Sequence, residues 1–324
     1  MILSPLIFSI LFYVYCFSDI FASSGDELPA FNKCAYLCFQ QLCTTSKIEK
    51  FNKKQSWYMK VLLWSCENEC KYICMHRVKI KCIQKKIDIP QFYGKWPFRR
   101  IYGIQDPASF VFSILNFLTN AYMIRQFVKY THSLSPYYVI WIIYGILSLL
   151  TWMSSTIYHM RDTHISEKLD YFSALLLNCY FSYTFLLRAF GMYPIYKPVT
   201  FGVCLSSLYL YHIYYMTYIK FDYSYNMKIN VFLGLFETFG WLIWAIKEYN
   251  IRKYVWRCIL SVIIAKAILP LELGDFPPLW DLIDAHSLWH LFSLPLPIIW
   301  FKFVIDDCKA LYNEKRLITD KKGI

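Results

Sequence analysis

A chain of 324 residues that is 57% hydrophobic, 20% aromatic and only 17% charged falls short of the roughly 25% charged content of soluble domains. Its formal net charge of +12 is scattered between apolar runs, which argues against nucleic acid as a partner and points to a membrane protein.

Residues 1–24, opening MILSPLIFSILFYVYCF, join an apolar run to the small residues Ala22, Ser23 and Ser24, the pattern of a secretory signal peptide. No Lys or Arg precedes the run, and a retained signal anchor is the alternative. Either delivers the next segment, residues 25–105, to the secretory lumen. Seven cysteines cluster there: Cys34, Cys38, Cys43, Cys66, Cys70, Cys74 and Cys82. An oxidising lumen turns such a cluster into a disulfide framework, with one thiol left free or bonded to another chain because the count is odd. Cys66, Cys70 and Cys74 share one helix face, and a disulfide-bonded helical hairpin is favoured there over zinc. The segment ends in QFYGKWPFRRIYGIQDPASF, whose aromatic and basic residues suit a membrane interface.

From residue 106 onward seven apolar segments follow, near 107–129, 136–159, 167–188, 193–217, 226–246, 253–271 and 284–304. Each is long enough to cross a hydrocarbon core of about 30 Å as a helix. The expectation is an all-α polytopic membrane protein with a transmembrane domain over 106–305 and a cytosolic tail over 306–324. Arg125, Lys129, Arg188, Lys197, Lys247, Arg252, Lys253 and Arg257 fall on one side of the membrane, whereas Glu272, Asp275, Asp281 and Asp284 fall on the other. That asymmetry predicts a luminal N-terminus and a cytosolic C-terminus.

Polar residues within apolar segments are costly and mark function or tight pairing. Ser155 and His159 close the second segment four residues apart, Glu167 and Asp170 open the third, and His286 and His290 open the seventh with the same four-residue spacing. On the expected topology all lie at one depth. Three imidazoles, two of them at i and i+4, suit a zinc ion that keeps its fourth position for water. Asp170 would accept a proton from that water or orient a histidine, and Ser155 would stabilise an oxyanion or hold Asp170. The remaining histidines read differently: His164 as a loop residue, His212 as a satisfied interfacial residue, and His76 and His132 as residues on the aqueous sides. Arg161 pairs with Asp162 across the turn or meets a lipid phosphate. DFPP at 275–278 reads as a rigid turn into the seventh segment.

The stretches CENECKYICM, QFYGKWPFRR, QDPASF, SSTIYHMRDTHISEKLDYF, IKFDYSYNM, LELGDFPPLWDLIDAHSLWH and FKFVIDDCKALY run in order from about residue 66 to 312. Through them the chain resembles the post-GPI-attachment-to-proteins factors of the third kind, GPI-anchor remodelling phospholipases. These belong to the CREST superfamily of seven-helix membrane hydrolases, which includes the alkaline ceramidases. The Ser155, His159, Asp170, His286 and His290 pattern looks like the whole superfamily, whereas KWPF, FDYSYN, LELGDFPPL and the Cys-rich segment look like the GPI branch. The resemblance implies a seven-transmembrane-helix CREST-type bundle preceded by a small disulfide-rich luminal domain. It also implies zinc held by His159, His286 and His290, with Ser155 and Asp170 as catalytic partners. The implied reaction is hydrolysis of the sn-2 fatty acyl ester of the GPI lipid after attachment to protein, in the endoplasmic reticulum or Golgi. The implied partners are GPI-anchored proteins and membrane lipids. Cys82 is extra to that family framework. Alternative readings are a ceramidase-like amide hydrolase, a seven-helix receptor, or a non-catalytic escort of GPI proteins.

Overall fold

The computed structural model describes residues 24–322, so the expected signal peptide lies outside the described residues save for Ser24. Among those residues the protein is helical, and its only β pairing is three isolated bridges that close turns: Phe92 with Lys95, Ile101 with Ile104, and Leu279 with Ile283. The chain forms two compact units. One comprises the residues up to Ala108 with His159–Arg161 and Asp275–Ala285, and the other comprises Ser109–Tyr158, Asp162–Gly274 and the residues from His286 onward.

The first unit contains α1 (Pro29–Leu42), α2 (Thr45–Lys54), α3 (Trp57–Val61) and α4 (Cys66–Lys85). Ser65 caps α4 by accepting a hydrogen bond from the Asn68 N–H at 3.2 Å, and Glu67 and Glu69 meet the positive end of its dipole. Disulfides Cys34–Cys74, Cys38–Cys70 and Cys43–Cys66 join α1 and its C-cap to α4. Their sequence separations of 40, 32 and 23 are nested, as an antiparallel hairpin requires. Cysteines spaced by four along α4 supply one rung per turn, so the expected helical hairpin is found. Cys82, about two turns beyond Cys74, is free and buried, which accounts for the odd count. Phe31, Val78 and Phe92 fill the space beside the ladder.

The long helices are α5 (Pro107–Tyr130), α6 (Tyr138–Met160), α7 (His164–Phe190), α8 (Tyr196–Tyr214), α9 (Tyr223–Glu248), α10 (Trp256–Leu273), α11 (Ala285–Ser293) and α12 (Pro295–Lys322). Among the described residues, five stretches are long and apolar enough to cross a membrane: α5, α6, α9, the segment Lys253–Leu273, and Ala285–Ile318. Helices α7 and α8 stand at the third and fourth expected segments with a more polar make-up. Glu167, Lys168, Asp170 and Arg188 lie on α7, and α8 is rich in tyrosine and serine. A capping box between Thr163 and Ser166 starts α7 at His164, earlier than its apolar run. Asp222 caps α9 by accepting from the Tyr225 N–H at 3.1 Å. The expected seventh segment is two helices, because Pro295 and Pro297 at the head of α12 have no N–H to continue α11.

Aromatic rings fill the core of the second unit. Trp300 lies 4.9 Å from Phe181, 5.0 Å from Trp241 and 5.1 Å from Phe303 between ring centroids. Gly240 admits the Phe185 ring, since a Cβ there would sit 2.4 Å from it. Two polar pairs bridge helices inside the bundle, Ser182 donating to Glu237 at 2.8 Å and Asn178 to Asn230 at 2.8 Å. His212, expected at an interface, is instead fully buried and stacks on Tyr225 at 5.2 Å, because its face of α8 turns inward.

Helix α12 continues well past the last apolar segment, and its buried Asp307 gathers the neighbouring helix ends. Arg188 donates to both Asp307 oxygens at 2.8 and 2.9 Å, and the Tyr254 hydroxyl donates to one of them at 2.9 Å. Ser135 donates to the Cys308 carbonyl at 2.6 Å. Removing one member of such a pair strands the other charge in a low-dielectric site. Asp307→Ala is therefore expected to cost about 3–5 kcal/mol of stability, read as a lowered thermal midpoint in detergent. Replacing Cys38 and Cys70 together by Ala should cost the first unit about 2–4 kcal/mol, read from its unfolding under non-reducing conditions.

Candidate metal centre

The last turn of α6 carries Ser155 and His159, both buried at 4% and 3% exposure, one turn apart on the same face. Helix α11 carries His286 and His290 at the same spacing. Ligand-capable nitrogens of His159, His286 and His290 all lie within 4.8 Å of one another. These are the three histidines expected from the sequence to act together, and His286 follows His159 by 127 positions in the chain.

Each imidazole is oriented from behind. Nδ1 of His159 lies 3.1 Å from Asp106 Oδ2, which also accepts from Lys95 Nζ at 2.8 Å. The backbone closes the same corner, since the Asp106 N–H donates to the His159 carbonyl and the Gln105 N–H to the Met160 carbonyl, both at 3.0 Å. Nδ1 of His286 lies 2.8 Å from Glu272 Oε2, near the end of α10. Nδ1 of His290 lies 3.4 Å from Ser113 Oγ, and the Asn116 amide holds the His290 carbonyl at 2.8 Å. A carboxylate that accepts from Nδ1–H fixes the tautomer in which Nε2 carries the lone pair. The Nε2 atoms of His286 and His290 are 2.9 Å apart.

Three neutral imidazoles with oxygen partners at their outer nitrogens form the donor set that zinc prefers. Two nitrogens at tetrahedral positions, each about 2.0–2.1 Å from zinc, are about 3.3 Å apart. The His286–His290 separation is close to that, and the 4.8 Å limit on the group accommodates it. The residues fit the ion. Indole rings wall the group, with Trp152 at 5.3 Å from the His290 ring and Trp289 at 5.9 Å from the His286 ring.

Ser155 lies beside the histidines, its Oγ 3.1 Å from the Oγ of Ser113, which in turn faces His290. Asp170 is half-buried about two turns into α7, where its carbonyl accepts from Ser173 at 3.1 Å. Arg161 donates to the Leu62 carbonyl, with its guanidinium 4.8 Å from the Trp64 ring. His164 is exposed and meets Phe221 edge-on at 5.8 Å. The DFPP stretch, expected as a turn, is an irregular connection, and the turn follows it, closed by Leu279 with Ile283. Asp275 accepts from Gln91 and Trp96, Asp281 pairs with Lys79, and the Arg99 N–H donates to the Asp281 carbonyl. Burial pushes the Asp275 carboxyl above the ordinary range, and the Trp96 donor pulls it back.

Residues 56–308 match the model of the Per1-like family. The chain belongs to the Per1-like family. Among its Per1-like relatives, a zebrafish (Danio rerio) protein named "GPI-specific phospholipase A2-like PGAP3" is 35% identical over 94% of both chains. A Xenopus tropicalis protein of the same name is 37% identical over 88% of this chain and 90% of its own. The Drosophila melanogaster "Post-GPI attachment to proteins factor 3" is 34% identical over 87% of this chain and 88% of its own. No solved structure matches the chain. The family resemblance carried by the sequence motifs is the family found.

Asp106, Glu272, Ser113, Asn116 and Lys95 escaped the motif reading. Asp106 stood only within the QDPASF stretch, and Glu272 only as one acidic charge in a connection. Outer-shell carboxylates typically contribute 10–100-fold in metal affinity. Asp106→Asn and Glu272→Gln should each weaken zinc binding by about that factor, measured by competition with a chromogenic chelator.

Proposed function

We propose that this protein is a zinc-dependent acyl hydrolase that removes the sn-2 fatty acid from the phosphatidylinositol of a GPI anchor after the anchor is attached to protein. The observation that carries the reading is the group of three imidazoles, two of them backed by carboxylates, next to a serine hydroxyl. The names of the Per1-like relatives, which speak of GPI attachment and of a GPI-specific phospholipase A2, support the substrate. The membrane-crossing helices fit a lipid substrate, and the disulfide ladder fits an oxidising compartment. We therefore assign seven spans with the Cys-rich segment in the lumen of the endoplasmic reticulum or Golgi.

In this reading His159, His286 and His290 hold zinc, which when bound supplies a Lewis acid and lowers the pKa of water toward about 7. Asp106 and Glu272 keep the outer N–H of their histidines engaged, so that each imidazole presents one fixed lone pair. Asp170 accepts the proton of the attacking water. Ser155, positioned by Ser113, donates a hydrogen bond to the carbonyl oxygen as negative charge develops on it. The bond from the acyl carbon to the glycerol oxygen then breaks. The fatty acid leaves with the oxygen of the water, and the proton held by Asp170 passes to the glycerol oxygen of the lyso product.

Lipid mass spectrometry of GPI-anchored proteins from cells with and without this chain tests the substrate. The expected result is lyso and remodelled anchors only when the chain is present, and unchanged anchor acyl chains would overturn the reading. Purified protein should hold about one zinc per chain and lose it in His286→Ala and His290→Ala. Ser155→Ala should keep the metal while kcat falls by about 10²–10³, the usual cost of losing one oxyanion donor. Folded, metal-free protein that cleaves the lipid at the normal rate would rule out the zinc mechanism.

A further inference from the structure

The first unit exposes a cluster of large apolar side chains that its own core does not use. Trp57 is 75% exposed, Val61 68%, Leu63 74% and Tyr102 74%. Trp57 and Val61 are four apart on α3 and so share a face. Edge-on contacts link Trp57 to Tyr58 at 5.9 Å and Tyr58 to Tyr102 at 5.8 Å, which joins α3 to the turn at residues 101–104. Leu63 and Tyr102 sit at φ values of 55° and 49°, left-handed backbone that a large side chain seldom adopts. Two bulky apolar residues are thus held at strained turn positions where they point away from the core.

The surroundings make this surface rigid. Gly103, at φ 78°, lets the turn approach α3 closely, because a Cβ there would lie 3.0 Å from Leu62 Cδ1 and Met59 Sδ. Trp64 donates from Nε1 to the Gly103 carbonyl at 2.8 Å. The Arg100 guanidinium lies 3.4 Å from the Trp64 ring and 4.2 Å from Tyr72, and is paired with Glu69.

Two links tie the surface to the membrane boundary. The turn at 101–104 stands just before Pro107, the first residue of the apolar helix α5. Arg161, one residue beyond the apolar helix α6, donates to the Leu62 carbonyl. The cluster is therefore held at the ends of two helices long and apolar enough to cross a bilayer, where Trp and Tyr are favoured. Beside it opens a recess of about 440 Å³ lined by Glu49, Asn52, Lys53, Gln55, Lys60, Leu63 and Trp64. Lys53 shares its charge with Glu49 at 2.8 Å, while Lys60 has no carboxylate partner among the described residues. The basic last turn of α2 adds Lys54.

We propose that α3, Leu63 and the 101–104 turn form an interfacial foot that seats Trp57, Val61, Leu63 and Tyr102 among bilayer phospholipids, with Lys53 and Lys60 facing a lipid phosphate at the adjoining recess. Apolar side chains rimmed by lysine match a phospholipid surface in both polarity and charge. The foot stands independently of the chemistry at the histidines.

The test uses the full chain in lipid nanodiscs, with a benzophenone amino acid placed singly at positions 57, 61 or 63. Positions 80 and 87, where Ile80 and Ile87 are also exposed but lie outside the foot, serve as controls. The expected result is phospholipid adducts at 57, 61 and 63 and none at 80 and 87, identified by mass spectrometry of disulfide-intact protein. Adducts to a second copy of the chain, or no lipid adducts at the three positions, would overturn the foot. Adding phosphatidylinositol to phosphatidylcholine discs should raise the yield, and Lys53→Gln or Lys60→Gln should each reduce that gain by about fivefold. A gain unaffected by both substitutions would remove the lysines from the proposal. Crosslinking does not require hydrolysis, so its failure leaves the histidine site standing.

Discussion

Burying an imidazole N–H is costly unless it finds an acceptor, and at His159 that need orders the centre. His159 is 3% exposed, and Asp106 takes its Nδ1 side at 3.1 Å. Asp106 is itself buried, and Lys95 offsets its charge at 2.8 Å. The chain of dependence continues outward, because Lys95 closes the turn with Phe92 that begins the KWPF stretch. On α11 Ser113 faces the buried His290, and Glu272 takes the Nδ1 side of the half-buried His286. Buried polar groups without partners would cost several kcal/mol each, so the outer partners belong to the site as much as the nitrogens do.

Each unit also holds its own part of the centre in place. Within the first unit, the disulfide ladder makes a rigid hairpin, and its α4 and the following strand-like segment hold the 275–281 loop through Asp275 and Asp281. That loop leads straight into the helix bearing His286 and His290. Within the second unit, the aromatic core and the Arg188–Asp307–Tyr254 clasp fix the other ends of the helices. A site made from distant segments tolerates little play, since catalytic geometry degrades over about an ångström.

Several features were legible in advance because they depend on local spacing. Pairs four residues apart announced Ser155 with His159 and His286 with His290, and the same spacing in the cysteines announced a hairpin. Apolar runs announced the helices, although Thr163 and Ser166 moved one start and Pro295 divided one segment. The odd count implied a free thiol, the family resemblance marked Cys82 as extra, and Cys82 is the cysteine left free beside the ladder. His212 was misjudged as interfacial, because which face of α8 turns inward is decided by its neighbours, Phe172 on α7 and Tyr225 on α9.

What the sequence by itself determined is the helical, membrane-crossing character, the cluster of cysteines and the family, all of which are carried by composition, periodicity and short motifs. Tertiary structure alone decided which cysteines pair, that Asp106 and Glu272 back the imidazoles, that Asp307 clasps Arg188, and that α3 with the 101–104 turn presents its apolar side chains outward. The reason is physical. A hydrogen bond or disulfide between residues tens of positions apart depends on how helices pack, and packing is a property of the assembled chain that no local pattern encodes.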